Sequence, residues 1–388
     1  MNKITQISIG RFHHFHLARQ LEKYNLLEAI WTGYPSFKLK DEDGIAVDKI
    51  KTFPWFRAPY MALGPWIDYL PALKKQWDWL AFESIDYFVA QNIKSPTTLI
   101  SLSGTGLYSG KKAKSLGGNF ICDRGSSHIV FQDNILKDEY HRWGFKYEGV
   151  DNRIIQKELN EYEIADFITV PSQFVKNTFI SMGVNEEKVI KIPYGARLER
   201  FKKIGNPPSN KFRVLWVGAV SIRKGFIDLL NAFNLLSHPN KELLVIGSVQ
   251  PEIKQIIKSK NIKNVIFKGN LPNTSLAEYY SKSHVFVLPS IEEGLAIVQG
   301  EALSCGCPVI STPNSGAEDL FEDGIEGFIV PIRSSQTIHD KLQFLIDNDL
   351  MRKKMSENAI LRVKKIEGWD TYGKNMVGFL KSKTYELK

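Results

Sequence analysis

The residues with the plainest chemistry are two glutamates eight positions apart, Glu293 and Glu301, with Gly294 directly after the first. They lie in a stretch from Val285 to Asp319 that reads as strand, loop, helix, strand. Val285 to Leu288 is short, apolar and β-rich, the pattern of a buried parallel strand. Pro289 and Ser290 end it, and Leu295 to Ser304 suits a helix. Gly306 falls where a left-handed C-terminal cap would be, and Pro308 blocks continuation. On an ideal helix axis, at ~1.5 Å per residue, the two carboxylates stand about 12 Å apart. Gly294 lets the backbone come close to a ligand, and the first-turn N–H groups of a helix suit a phosphate. One carboxylate beside phosphates and another farther on fit a ligand with hydroxyls at both ends, such as a nucleotide sugar. The plain alternative is a βαβ crossover with two solvated glutamates.

Other residues join them. Phe212 to Val217 reads as a strand, and beyond Gly218 its loop carries Arg223, Lys224 and Gly225. A planar fork and a mobile point charge together suit a diphosphate. Ile4 to Ile9 reads as the first strand, Gly10 to His14 as a loop and Phe15 to Tyr24 as a helix. That loop falls at the carboxyl edge of an α/β sheet, where ligands bind. His13, His14 and His16 cluster there. A metal would need a further ligand, so they read as surface or acceptor-contacting histidines. After a strand at Asn119 to Cys122 come Asp123, Arg124 and His128. Arg124 would meet an anionic acceptor or pair with Asp123, and His128 would contact a ligand or cap a helix.

The elements that must position these groups follow from the rest of the chain. At 388 residues, two cores are the expectation. Strands are expected at 97–102, 165–170, 189–193, 243–246, 265–267, 309–311 and 324–331. Residues 203–210, polar with one glycine and two prolines, read as a linker. The aromatic stretch from Phe53 to Asn92 includes Trp55, Trp66, Trp77 and Trp79. It reads as helices packed on the first sheet or, with Lys74 and Lys75, as a membrane-touching or acceptor-binding surface. Gly104-Thr-Gly106 with Gly110 falls one residue off the dinucleotide fingerprint and lacks its acidic partner, so no nicotinamide cofactor is expected. The net charge of +9 points to anionic partners, and no zinc-finger spacing or RNA-binding aromatic signature marks nucleic acid. Three cysteines make no disulfide framework and read as reduced, buried residues. No apolar run spans a bilayer and the N-terminus has no secretory pattern, so a cytoplasmic location, or a peripheral one on the inner membrane face, is expected.

Glu293-x7-Glu301, followed by Ala302-Leu303, Gly306, Pro308-Val309-Ile310 and Gly316, resembles the donor-binding signature of retaining glycosyltransferases of family 4 (group 1). The resemblance implies an α/β fold of two Rossmann-like doubly wound domains facing a central cleft (GT-B). Residues 1–202 plus about 366–388 would form the acceptor-side domain, because the family's C-terminal helix crosses back, and 211–365 the donor domain. It implies catalytic roles for Glu293, His128 and Lys224. Donor contacts would come from Gly10, Arg223, Lys224, Gly294, Leu295 and Glu301, with Glu293 on the sugar hydroxyls and Glu301 on the ribose. The family's usual arginine after the first glycine is Ala219 here, and its usual Asn-Gly is Tyr194-Gly195. Gln132, Glu139 and Tyr140 resemble a bacterial branch of the family. The implied reaction is retaining transfer of a sugar from a nucleoside diphosphate sugar to a hydroxyl of a glycan or lipid-linked acceptor, in surface polysaccharide or glycoconjugate synthesis. No metal and no cofactor are expected, and the leaving phosphate would take the acceptor's proton without a separate base. A non-hydrolysing nucleotide-sugar epimerase and a silent nucleotide-sugar-binding subunit are the alternatives.

Overall fold

The computed structural model describes residues 2–63, 70–259, 262–366 and 368–386, so Trp66 lies outside the described residues. The first sheet is built from β1 (Ile4–Ser8), β2 (Leu27–Thr32), β3 (Ile50–Thr52), β4 (Thr98–Leu102), β5 (Asn119–Asp123), β6 (Phe167–Val170) and β7 (Val189–Lys191). Its spatial order is β3-β2-β1-β4-β5-β6-β7, and every pair is parallel. The second sheet uses β8 (Phe212–Val217), β9 (Lys241–Ile246), β10 (Val265–Gly269), β11 (Val285–Leu288), β12 (Val309–Ser311) and β13 (Gly327–Ile329). Its order is β10-β9-β8-β11-β12-β13, again all parallel. Both are doubly wound, and both reverse direction at their first strand. At that switch the loops at the strands' carboxyl ends open a crevice.

The helices are α1 (His13–Lys23), α2 (Arg57–Leu63), α3 (Pro71–Asn92), α4 (Leu107–Ser115), α5 (Ile129–Arg142), α6 (Asn152–Ile164) and α7 (Gln173–Ser181) around the first sheet. Around the second run α8 (Phe226–Leu235), α9 (Pro251–Ser259), α10 (Leu276–Ser281), α11 (Val298–Ser304), α12 (Ser335–Asp347) and α13 (Asp349–Val363). Helix α14 (Trp369–Glu386) returns to the first sheet. Tyr372, Met376, Val377 and Leu380 are buried with Phe15, Leu17 and Leu21 of α1, and Gln20 of α1 donates to Asp370 at 2.8 Å. Residues 202–208 have no regular structure.

Some elements depart from the sequence reading. Helix α1 begins at His13, two residues earlier than expected, so His13 and His14 sit on its first turn. Strand β2, Leu-Glu-Ala-Ile-Trp-Thr, went unmarked because its composition is helix-like. Pairing with β1, in register from Thr5 with Ala29 to Ser8 with Thr32, overrides that propensity. β3 was likewise unmarked. Helix α11 starts at Val298, three residues late. The backbone of 293–296 is held outside the helix instead, with Glu293 N donating to Asn314 O and Ala296 N to Ser315 O, both at 3.0 Å.

The aromatic stretch divides. Ala81, Ile85 and Val89 of α3 are buried in the first core, and Trp77 donates its indole N–H to Phe56 O at 2.7 Å. Trp55 is 72% exposed. No helix among the described residues is long and apolar enough to cross a membrane. All three cysteines are free and buried.

Gly195 packs so tightly on the start of α14 that an added Cβ would stand 2.5 Å from the Trp369 backbone. Gly195→Ala should loosen α14 and cost about 1–3 kcal/mol. A lower melting temperature and faster proteolysis near residue 368 would register it, and an unchanged melt would refute the packing argument.

Candidate active site

Two consecutive cations of the loop after β8 meet two consecutive carboxylates of the loop after β11. Arg223 Nη2 lies 2.9 Å from Glu292 Oε2, and Lys224 Nζ lies 2.9 Å from Glu293 Oε1. The two loops are locked together by the backbone: Ile291 N donates to Arg223 O at 2.9 Å. Gly225, at φ 73°, lies so close to Pro289 that a Cβ would stand 2.0 Å from its carbonyl oxygen. A β-carbon is barred there both by the left-handed backbone and by space.

The two ion pairs differ in kind. Glu292 is fully buried. It accepts from Ser127 N at 3.1 Å and Ser127 Oγ at 2.7 Å, and from Gln132 Nε2 at 2.9 Å, all from the first domain. Burial alone would raise its carboxyl, but Arg223 and these donors outweigh that and hold it below the usual range. Lys224 and Glu293 are accessible, with side chains 21% and 16% exposed. The cation pair expected to bind phosphate is therefore split. Arg223, though its side chain keeps 37% exposure, is committed to Glu292 and also donates Nε–H to Glu292 O at 3.0 Å, whereas the partner of Lys224, Glu293, is itself accessible. Glu292 went unnoticed in the sequence, although Glu292-Glu293 against Arg223-Lys224 is a visible charge complement.

The remaining expected residues fall in three places. Glu301, on α11, is buried and accepts from Tyr280 Oη at 3.1 Å. Burial pushes its carboxyl up despite that bond. Leu295 lines a cavity between the domains. Gly294 lies against the first domain: its carbonyl accepts from Ser172 Oγ at 2.7 Å, and a Cβ would stand 1.7 Å from Gly125 O. The phosphate site expected at the start of the 295–304 helix is corrected. That helix has seven residues and begins later, and the N–H groups of Glu293 and Ala296 are already bound.

Gly10 is buried, with the Phe12 ring filling the space a side chain would take. His128 is corrected most. It is 3% exposed, accepts from Val130 N as the N-cap of α5 and is walled by Tyr162 and Phe179 at 5.1 and 5.0 Å between ring centroids. Burial lowers its pKa to about 4. It is a capping residue with no ring face left for a sugar.

Arg124 meets neither Asp123 nor a cleft. It binds Glu158 at 2.7 Å and Gln132 at 2.9 Å. Asp123 takes His13 instead. Gly104 N and Gly106 N donate to the buried Glu161 carboxylate at 2.6 and 2.7 Å, so the near-fingerprint loop is filled from within.

Further contacts hold the domains together. Arg142 forks onto Asp228 at 2.9 and 3.0 Å, Arg333 donates to Glu139 at 2.6 Å, and Lys191 meets Asp319 at 2.8 Å.

Residues 198–362 match the family described as glycosyl transferases group 1. Over 241 residues the chain is 27% identical to the capsular polysaccharide biosynthesis glycosyltransferase CapM of Staphylococcus aureus, covering 57% of this chain and 61% of CapM. It spans less than two thirds of the length of the first curated relatives it matches. Sucrose-phosphate synthase from Thermosynechococcus elongatus superposes with a TM-score of 0.70 at 20% identity, covering all of both chains. Anabaena HepE in complex with UDP superposes with a TM-score of 0.69 at 16% identity, over 98% of this chain and 100% of HepE. The fold is thus the two-domain GT-B arrangement.

Two outcomes follow. Because the Glu292 carboxyl sits below its unfolded value, its stabilisation is full above that value and fades as pH falls through the folded one. Glu292→Gln should cost about 1–3 kcal/mol near pH 7, with the gap to wild type narrowing as pH falls below the ordinary carboxylate range. Melting curves across that range check it, and a constant gap would contradict it. Gly294→Ala should push the domains apart. Solution scattering would show a larger radius of gyration with native circular dichroism, and an unchanged radius would mean the contact does not limit closure.

Proposed function

We propose, on the premise that residues 198–362 are a group 1 glycosyltransferase domain, that the chain transfers a sugar from a nucleoside diphosphate sugar to a hydroxyl of a glycan or lipid-linked acceptor. The observation that carries this reading is the accessible Lys224–Glu293 pair at the carboxyl ends of β8 and β11. A diphosphate would draw Lys224 away from Glu293, and the freed carboxylate would accept hydrogen bonds from sugar hydroxyls. Charge that grows on the leaving diphosphate is best met by such preorganised donors, with no metal required. Glu301, held by Tyr280, would be reached by the ribose. Transfer with retention is the stereochemical part of the proposal. Closure of the domains through Gly294 and Glu292 would keep water from the donor.

UDP is the first nucleotide to try, since it occupies HepE. Surface polysaccharide synthesis is the first setting, since CapM carries that description. The inner membrane face is a natural place for a lipid-linked acceptor, and the exposed Trp55, Leu70 and Leu73 would touch it.

A thermal-shift panel of UDP-, GDP- and ADP-sugars, followed by assays of nucleotide release with and without EDTA, tests the reading. Lys224→Ala and Glu293→Ala should each lower turnover by about 100-fold or more, the scale of losing one charge-stabilising group, with unchanged melting temperatures. Near-normal turnover in either variant would defeat the assignment. C2 inversion of the sugar without an acceptor would point to an epimerase. Tight nucleotide-sugar binding without turnover would point to a silent subunit.

A further inference from the structure

A cavity of about 690 Å³ lies between the domains. Its wall on the second domain is Leu295 and Ile297, directly beyond Glu293. Among the described residues, the loop after β8 that carries Lys224 contributes nothing to it. The wall on the first domain is rich in hydrogen-bond donors. Arg11 stands just before α1, Arg19 on it, and Arg197 and Arg200 in the loop after β7.

These four guanidiniums are not equivalent. Glu42, whose side chain is fully buried, pairs with both Arg11 and Arg19. Arg19 also donates Nε–H to Asp43 O at 2.8 Å and Nη1–H to His16 Nδ1 at 3.1 Å. Because arginine only donates, His16 accepts at Nδ1 and carries its proton on Nε2, which makes no hydrogen bond among the described residues. Burial first, then Arg19, Arg197, His13 and Arg11, lowers the pKa of His16 to about 3. The imidazole therefore stays neutral while arginines from both sides of the cavity face it. Arg197 and Arg200 are exposed, and their side chains make no hydrogen bond or ion pair among the described residues. Asp41 and Asp43 line the same cavity but pair with neither. Trp369 lies flat on His16, with 3.9 Å between centroids and 7° between planes. Phe12, also lining the cavity, is 47% exposed. Apolar faces with a few convergent polar groups are the usual build of a ligand cavity.

We infer that this cavity takes an anionic acceptor, whose carboxylate or phosphate is gripped by Arg197 and Arg200. The inference rests on the glycosyltransferase reading and names the charge class of its acceptor. Two guanidinium forks without counterions suit a group with two or three exposed oxygens. A neutral glycan would leave both cations unpaired in a cleft that dries as it closes, whereas an anion replaces the water they lose. A uronic acid residue and a lipid-linked phosphate share this chemistry. The donor's own diphosphate is the rival occupant, but the cation proposed to meet it, Lys224, lies outside the cavity. The acceptor's proton is left to the departing diphosphate, in keeping with the retaining transfer proposed above.

The test uses the full chain, whichever nucleotide sugar of the panel the wild type turns over, and three acceptors: octyl glucoside, octyl glucuronide and phenoxyundecyl diphosphate glucose. The first is neutral, the second carries a carboxylate and the third phosphates. At least one charged acceptor should exceed the neutral one in kcat/KM by about 10-fold or more, the scale of a hydrogen bond to a charged group. Which of the two does so tells the sources apart. Arg197→Gln/Arg200→Gln should cut that ratio by about 10-fold or more, through acceptor KM, with melting temperature and UDP-induced thermal shift unchanged. Where the wild type transfers to none of the three, their thermal shifts on the UDP-loaded protein are read instead, with the same ranking expected. Equal use of neutral and charged acceptors, or equal binding or none, overturns the inference alone. So does a ratio untouched by the double variant. A double variant that loses its UDP shift also overturns it, because the arginines would then serve the donor diphosphate. A wild type that neither binds nor turns over any nucleotide sugar overturns the glycosyltransferase reading, and the inference with it.

Discussion

The buried carboxylate of Glu292 is the constraint on which the site depends. A charge that far from water is tolerable only when its oxygens are fully bonded. Glu292 meets that condition by drawing on both domains: Arg223 from its own, Ser127 and Gln132 from the other. The network continues through Gln132 to Arg124 and on to Glu158 and Tyr162 in the interior of the first domain. Once Arg223 is spoken for, its neighbour Lys224 is held at the edge of the cleft with a partner that a ligand can displace. The division of labour between two adjacent lysine- and arginine-type cations thus follows from which one has a buried counterion.

The second constraint is steric. The loops at the carboxyl edges of both sheets approach one another at distances only glycine allows. Gly247 lies against Gly218, Gly225 against Pro289 and Gly294 against Gly125. The first two set the loops of the second domain into one layer, and the third brings that layer onto the first domain. Interiors packed at this density transmit small shifts rather than absorbing them. A single methyl group at Gly294 therefore acts on the relation between domains, since the atoms it meets belong to Gly125 and Pro171.

The first domain handles its own glycine-rich turn differently. At Gly104 and Gly106 the N–H groups that could receive a phosphate are bound to Glu161 of α6. An internal carboxylate stands where a ligand would, and the loop becomes part of the core. The end of β1 and the end of β5 are joined instead by the contact of His13 with Asp123.

The sequence by itself determined the class of the fold and the strand–loop–strand stretch that carries Glu293. Apolar β-rich runs, glycines and prolines mark most strands of both sheets, and Glu293, Gly294, Lys224 and the cysteines were recognisable because local spacing carries their signal. It could not reveal β2, whose helix-like composition yields to pairing with β1, or the late start of α11, which is set by carbonyls from Asn314 and Ser315. Nor could it choose between a cap and a ligand contact for His128, or show that Arg124 turns inward to Glu158 and that Asp123 finds His13 across 110 residues of chain. Each of those outcomes is a contact between segments distant in sequence. Partner choice among charged side chains is settled by burial and proximity, which exist only once the two sheets and the returning C-terminal helix have packed.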